Sequence, residues 1–305
     1  METGLNKGKQ SGDGPAYPQV AERFSDLWQT IRHDGTRERP AEEQKDLIDQ
    51  VRNALDRQIS HFSDAKPDWI ADSFALERIA YESENTLLLQ VRHRDLGSLH
   101  ALKTTPPALR NDAALLQRLR EEAQLGLTLR HPCLVETSAL LRLADGRPGL
   151  LQPWFSQSLA SLASQRPVTA PQAITILRRL LEGLSAIHAR GYVHCDVTPA
   201  NILLEDGDFE TGRLGDFGIA LEIGQKHADR GMSFAASCEF AAPERMRDAT
   251  AKPDQDIFSV GRLARRLFAT NEMRTTQRLA DFADACCHDE PASRPQSAME
   301  ALQLL

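Results

Sequence analysis

The sequence predicts an α+β protein of two lobes, the first rich in strands and the second helical, behind a helical extension. Three observations carry this. Short apolar runs at Leu76 to Ala80, Thr86 to Val91 and Ser98 to Lys103, with a turn at Asp95-Leu96-Gly97, read as strands. Long stretches at Asn111 to Arg130 and Pro171 to Arg190 read as helices, the second carrying Ile174, Leu177, Leu181, Leu184 and Ile187 on one face. A chain of 305 residues, 41% hydrophobic and 26% charged, is long enough to bury the core that two lobes need.

Taken in order, residues 1–16 read as a disordered tail. Met1 to Gln19 is polar and Gly-rich and lacks the apolar core of a secretory signal. Residues 17–66 read as a helical extension. Val20, Phe24, Leu27, Trp28 and Ile31 recur at helical spacing, and so do Leu47, Ile48, Val51, Leu55, Ile59 and Phe62 after Pro40. A polar connection, His33 to Arg39, separates them. Such stripes need a surface to cover. The alternatives are the protein's own body, a regulatory partner, or a second copy of the chain. Residues 67–305 form the main domain, divided into 67–152 and 153–305. Gly149 to Gln152 reads as the strand that enters the connection Gln152-Pro153-Trp154-Phe155 between the lobes.

A net charge of -7 argues against a nucleic-acid partner. No apolar run reaches membrane-spanning length. The five cysteines, Cys133, Cys195, Cys238, Cys286 and Cys287, are odd in number and contain no C-x-x-C pair. Reduced thiols in a cytoplasmic protein are the expectation, with a secreted effector as the alternative setting.

The chemistry concentrates in three runs. His194-Cys195-Asp196-Val197-Thr198-Pro199-Ala200-Asn201 sets an acid and an amide five residues apart. Gly215-Asp216-Phe217-Gly218 puts a second acid on a turn, and Ala242-Pro243-Glu244 follows. A carboxylate that can take a hydroxyl proton (Asp196), beside two hard oxygen ligands for magnesium (Asn201 and Asp216), is the equipment of phosphoryl transfer.

These runs resemble the eukaryotic-type (Hanks-type) Ser/Thr protein kinase superfamily, in a divergent and bacterial-looking form. The ordered set is Ala101-Leu102-Lys103, Glu122, His131-Pro132, Asp196 with Asn201, Asp216-Phe217-Gly218, Ala242-Pro243-Glu244, Asp256-x-x-Ser259-x-Gly261 and Arg294, spanning roughly Trp69 to Leu305. The resemblance implies a bilobal kinase fold binding ATP and Mg2+. It implies that Lys103 pairs with the nucleotide phosphates and with Glu122, Glu121 being the competing register. It implies an adenine site at Leu88, Ala101, Gln152 and Trp154. It also implies a bracing role for His194, a buried Glu244–Arg294 ion pair, and a tie from Asp256 to the catalytic loop.

Several positions depart from the family's pattern. Tyr81, Ser83 and Thr86 stand where the three glycines of the phosphate loop belong. Thr198 replaces the lysine that neutralises the γ-phosphate, and Ala200 does not compensate. Cys195 replaces an arginine that often reads a loop phosphate, and Ser237 falls where a Ser/Thr helps hold substrate. Gly126 stands in place of a bulky residue, which should loosen its helix. A short link, Ala269 to Thr276, replaces a substrate-docking helix. The expected activity is transfer of the γ-phosphate of Mg-ATP to hydroxyls of a protein substrate, with Asp196 as base. The alternatives are a pseudokinase scaffold and a small-molecule phosphotransferase. The second is disfavoured by the A-P-E run and Arg294.

Overall fold

Alternating apolar and polar residues put the start of the main domain into an antiparallel sheet. The computed structural model describes residues 17–40, 43–44, 47–48, 69–70, 73–231, 239–247, 249–269 and 277–305. The chain divides into two units, Met1–Lys66 and Pro67–Leu305.

In the first unit, helix α1 (Tyr17–Arg32) leads into a hairpin of β1 (His33–Asp34) and β2 (Arg37–Glu38), where the sequence suggested only a polar connection. Gly35 turns it at φ 62°, a conformation that suits glycine. Ile31 is buried, whereas Phe24 and Trp28 are exposed. Of the second expected helix, residues 43–44 and 47–48 are helical, and 49–62 lie outside the described residues, as does the expected tail at 1–16.

The second unit opens with β3 (Trp69–Ile70), β4 (Phe74–Glu82), β5 (Leu87–His93) and β6 (Leu99–Thr104). After helix α2 (Ala113–Thr128) come β7 (Ala139–Arg142) and β8 (Pro148–Pro153). Six strands pair antiparallel in the order β3-β4-β5-β6-β8-β7. Side chains of a strand alternate between faces. Phe74, Leu87, Leu89, Val91, Leu102 and Leu151 form the buried cluster on one face. Leu88 and Lys103 stand directly opposite each other on the other, as do Gln90 and Ala101. Two irregularities in the β4–β5 pairing bring Arg78 opposite Gln90 and Tyr81 opposite Leu88. Helix α2 starts at Asp112, whose carboxylate accepts from the amides of Ala114 and Leu115. Leu119 and Ala123 then pack on Leu150 of β8, so the helix and the Lys103 strand share one sheet.

The second lobe contains α3 (Leu159–Gln165), α4 (Ala170–Ala189), α5 (Pro253–Ala269), α6 (Gln277–Cys286) and α7 (Ala298–Leu304). Ile176, Leu177, Leu181 and Leu184 of α4 meet Ile257, Val260, Leu263, Phe282 and Ala301 in one core. Each such side chain contributes about 1.5–3 kcal/mol of burial. Short strands hold the loops above it. β9 (Gln157–Ser158), β11 (Ile202–Leu204) and β12 (Arg213–Leu214) make one sheet, and β10 (Tyr192–Val193) pairs with β13 (Leu221–Glu222).

The D-x-x-S-x-G run on α5 has a packing reason at its end. A Cβ on Gly261 would sit 2.7 Å from Cys286 Cβ and 2.7 Å from Cys287 Sγ. The vicinal cysteines are thus an interior contact between α5 and α6, with both thiols free and buried. Arg294 donates to Glu244 at 2.6 and 3.1 Å and lies over the Phe258 ring. Among the described residues, no helix is long and apolar enough to cross a membrane. Residues 270–276, and with them most of the short link, lie outside the described residues, as do Ser233, Ser237 and Cys238.

Candidate catalytic and nucleotide site

The loop between β10 and β11 carries Asp196 and is tied from below by one carboxylate. Asp256, 1% exposed, accepts from the amides of His194 at 2.7 Å and Cys195 at 2.8 Å. It also bonds His188 Nε2 at 2.9 Å. Burial by itself would raise the Asp256 pKa, but His188 and the Cys195 amide outweigh it and hold it low. These bonds keep Cys195 at φ 75°, a left-handed conformation that costs on the order of 1–3 kcal/mol.

His194 is fully buried and edge-on to Phe217. Its Nε2 faces the Gly215 carbonyl at 3.1 Å, and the Asp196 amide points at its Nδ1 at 3.2 Å. A carbonyl only accepts, so the proton is on Nε2 and Nδ1 is the acceptor. Both ring nitrogens are then engaged, which fits bracing rather than proton transfer. Asn201 donates through Nδ2 to the Asp196 backbone oxygen at 2.9 Å and to Asp196 Oδ2 at 2.8 Å. The acid and the amide five residues apart therefore form one rigid group.

Above this loop, Lys103 Nζ donates to Glu122 Oε1 at 2.8 Å and to Asp216 Oδ1 at 2.8 Å. Lys103 comes from β6, Glu122 from α2, and Asp216 from the turn after β12, at φ 63°. Glu121, the competing register, bonds Arg230 instead. Burial pushes the Glu122 carboxyl up to about 7 even with Lys103 beside it. Burial would lower the Lys103 pKa, but Asp216 and Glu122 together raise it. Burial would raise Asp216, and Lys103 keeps it low. Gly218 is the cradle of this group. A Cβ there would lie 3.1 Å from Asp216 Oδ1, 3.2 Å from Glu122 Oε2 and 3.4 Å from Lys103 Nζ.

On the same sheet face as Lys103 lie the expected adenine-site residues, with Leu88 directly opposite it. Ala101 stands opposite Gln152, with Leu88 one pair along. Gln152 Nε2 is buried without a hydrogen-bond partner, and an unpaired buried donor is costly. Trp154 carries a contact that the sequence did not suggest. The Arg78 guanidinium lies 5.4 Å from its ring centroid, while Arg78 Nε donates to Gln90 Oε1 at 2.6 Å. The irregular pairing of β4 turns Arg78 to this face, and no sequence signal announces it.

The glycine-poor turn uses its own amides. Ser83 N–H donates to the Thr86 carbonyl at 2.9 Å, and Thr86 N–H points at Ser83 Oγ at 3.2 Å. Tyr81 is exposed. Thr198 is buried, and its carbonyl accepts from Asn201 N–H at 3.1 Å. Cys195 keeps its proton, with burial pushing its thiol up to about 12 and Arg245 lying beside it.

The expected loosening at Gly126 is corrected. A Cβ there would be 2.1 Å from Thr137 Oγ1, so the fully buried Thr137 occupies the space that a bulkier residue would have taken. Phe217 lies beside the same point, 3.8 Å away.

Hard oxygens from Asp216 and Asn201 beside a buried lysine, with a glycine keeping the approach to them clear, fit a magnesium nucleotide. The protein kinase domain family matches residues 85–278, more than half of the chain, and the chain belongs to that family. It is 35% identical over 145 residues to the serine/threonine-protein kinase PknK of Mycobacterium tuberculosis, covering 47% of this chain and 13% of that protein. It is 33% identical over 171 residues to the serine/threonine-protein kinase PknL of the same organism, covering 55% of this chain and 42% of that protein. The serine/threonine-protein kinase pkn2 of Myxococcus xanthus is 28% identical over 178 residues, or 57% of this chain and 21% of that protein. The chain thus spans less than half the length of the curated relatives it matches.

Proposed function

We propose that this chain is a Ser/Thr protein kinase that transfers the γ-phosphate of Mg-ATP to protein hydroxyls. The observation that carries the reading is the bonded group Glu122–Lys103–Asp216 together with the rigid pair Asp196–Asn201, whose segments are joined by the Gly215 amide donating to the Asn201 carbonyl at 2.9 Å. Asp196 accepts the hydroxyl proton, and the Asn201 amide fixes its carboxylate. Lys103, held by Glu122, binds the α- and β-phosphates. Asp216 and Asn201 would hold Mg2+, which would screen the charge on the phosphates. Leu88 and Ala101 pack on the adenine, Gln152 and Trp154 line its edge, and Thr198 faces the transferred group without supplying charge. The family membership and the likeness to serine/threonine-protein kinases support the reaction class. A cytoplasmic protein in a bacterial setting accords with those relatives.

A second reading, a pseudokinase scaffold, is favoured by the self-bonded turn at Ser83–Thr86 and by Thr198. A radiolabelled-ATP assay on purified protein separates the two. Transfer that is lost in Asp196→Ala and in Asp216→Ala supports the kinase. ATP binding without transfer in the parent supports the scaffold.

A further inference from the structure

Past Gly218 the chain runs along β13 and reaches a short helical turn, Ala228–Arg230, closed by Gly231 at φ 62°. From this turn Arg230 reaches back in two directions. Its Nη1 donates to the Ala220 carbonyl at 2.9 Å, and its Nη2 bonds Glu121 on α2. The two side chains are partly buried, 23% and 37% exposed.

Consecutive helix residues point about 100° apart. Helix α2 is therefore held at neighbouring positions by different elements, Glu122 by Lys103 of the sheet and Glu121 by Arg230 of the later segment. Beneath it lies a cavity of about 420 Å³, with Glu121, Glu222, Gln225 and Arg230 on its polar side and Leu125 and Phe217 on its apolar side. Leu125, Phe217 and Ala220 pack on one wall, and on the polar wall the Glu121–Arg230 ion pair is the tie between the helix and the later segment. Glu121 also accepts from Gln117 at 3.1 Å, but Gln117 is on the same helix and cannot position it. Burial and then the nearby charge of Arg118 both disfavour the charged form of Arg230.

We propose that Glu121 and Arg230 are positioning residues, whose ion pair holds α2 where Glu122 meets Lys103 without any phosphate on the segment. The cation sits on the segment and the anion on the helix, so both charges are encoded in the chain. Cys195, which offers no cation to a loop phosphate, accords with this. The proposal rests on the kinase reading of the site.

The test uses the full chain after phosphatase treatment, with Arg230→Ala, Glu121→Gln, Arg230→Lys and the exchanged pair Glu121→Arg with Arg230→Glu. Amide hydrogen exchange over α2 is read by mass spectrometry beside kcat and the KM values for ATP and peptide. Each charge-removing variant should exchange about tenfold faster over α2 and lose about tenfold in kcat, ~1.4 kcal/mol. The peptide KM should hardly move. The exchanged pair should recover both to within about threefold, and Arg230→Lys should fall between. Variants that stay within twofold of the parent in both readouts overturn the proposal. So does an exchanged pair that recovers neither. A phosphatase-treated parent whose α2 exchanges as fast as Arg230→Ala also overturns it, since phosphate would then be the tie. If the parent transfers no phosphate, the kinase reading fails, and the exchange measurement alone decides the ion pair's role.

Discussion

The pairing of Gly126 with Thr137 can be tested by sign. At an open site in a helix interior, replacing glycine with alanine stabilises by about 1 kcal/mol, because alanine loses less backbone entropy. At Gly126 the new Cβ would meet Thr137 Oγ1 at 2.1 Å and Thr137 Cβ at 3.0 Å. Thr137 is 0% exposed, so it has no solvent to move into. Overpacking of this kind costs about 1–3 kcal/mol. With contacts this short the upper half applies, which leaves Gly126→Ala net destabilised by about 1–2 kcal/mol. Thr137→Ala alone removes a methyl group and a hydroxyl whose oxygen is buried without a partner, and these losses roughly cancel. In the double variant the clash with Oγ1 is gone and the helix gain remains. The coupling between the two sites should equal the clash removed, about 2–3 kcal/mol, and be favourable. Urea unfolding of the four proteins measures it, with unchanged m-values as the check on a common transition. Gly126→Ala more stable than the parent by about 1 kcal/mol would refute the reasoning, since α2 would then have free space there.

Three further outcomes follow from the site. Asp256 has a lowered pKa when folded, so its contribution is fully present above the unfolded carboxylate value of about 3.9 and is lost as pH falls through the folded value. Asp256→Asn should therefore lower unfolding stability by about 2–4 kcal/mol between pH 5 and pH 8, and a loss under ~0.5 kcal/mol in urea titrations would contradict the tie to the His194 and Cys195 amides. The buried thiols of Cys195 and Cys286, each pushed up to about 12, should resist iodoacetamide in the native chain at pH 8, and rapid labelling by mass spectrometry would contradict their burial. On the kinase reading, Thr198→Lys should raise kcat, by up to about tenfold, and an unchanged or lower rate would show that charge at this position does not limit the chemistry.

The ordered motifs made the architecture legible because each residue type has a single physical task wherever it recurs. Lys103 at a strand end, Glu122 a helix register later, and the pair Asp196 and Asn201 could all be picked out before any coordinates. The residues that escaped depend on neighbours that the sequence does not reveal. Ala139-Leu140-Leu141-Arg142 is made of good helix formers, yet pairing with β8 turns it into strand β7. The hairpin β1–β2 has two-residue strands of charged side chains and histidine, with no apolar alternation to read. Arg78 faces the Trp154 side only because β4 breaks register twice. Thr137 lies eleven positions beyond Gly126 in a loop, and no helical period connects them.

The departures share one electrostatic consequence. Two amides of the Ser83–Thr86 turn are already bonded within it, Thr198 is neutral, and Cys195 keeps its proton. The catalytic-loop and turn positions that carry charge or open amides in the family are therefore quiet here. Lys103 remains, and it is shared by two carboxylates at equal distances of 2.8 Å. Of the two, burial pushes Glu122 up to about 7 while Lys103 keeps Asp216 low. On the proposed reading such a group favours a nucleotide that arrives with a divalent cation, because charge taken up at Asp216 frees the ammonium to face phosphate. On the proposed reading, the losses in the turn and at Thr198 do not remove the phosphate site. They concentrate its positive charge on Lys103 and on the metal, and so make the position of α2, through Glu122, the variable that the remaining structure has most reason to control.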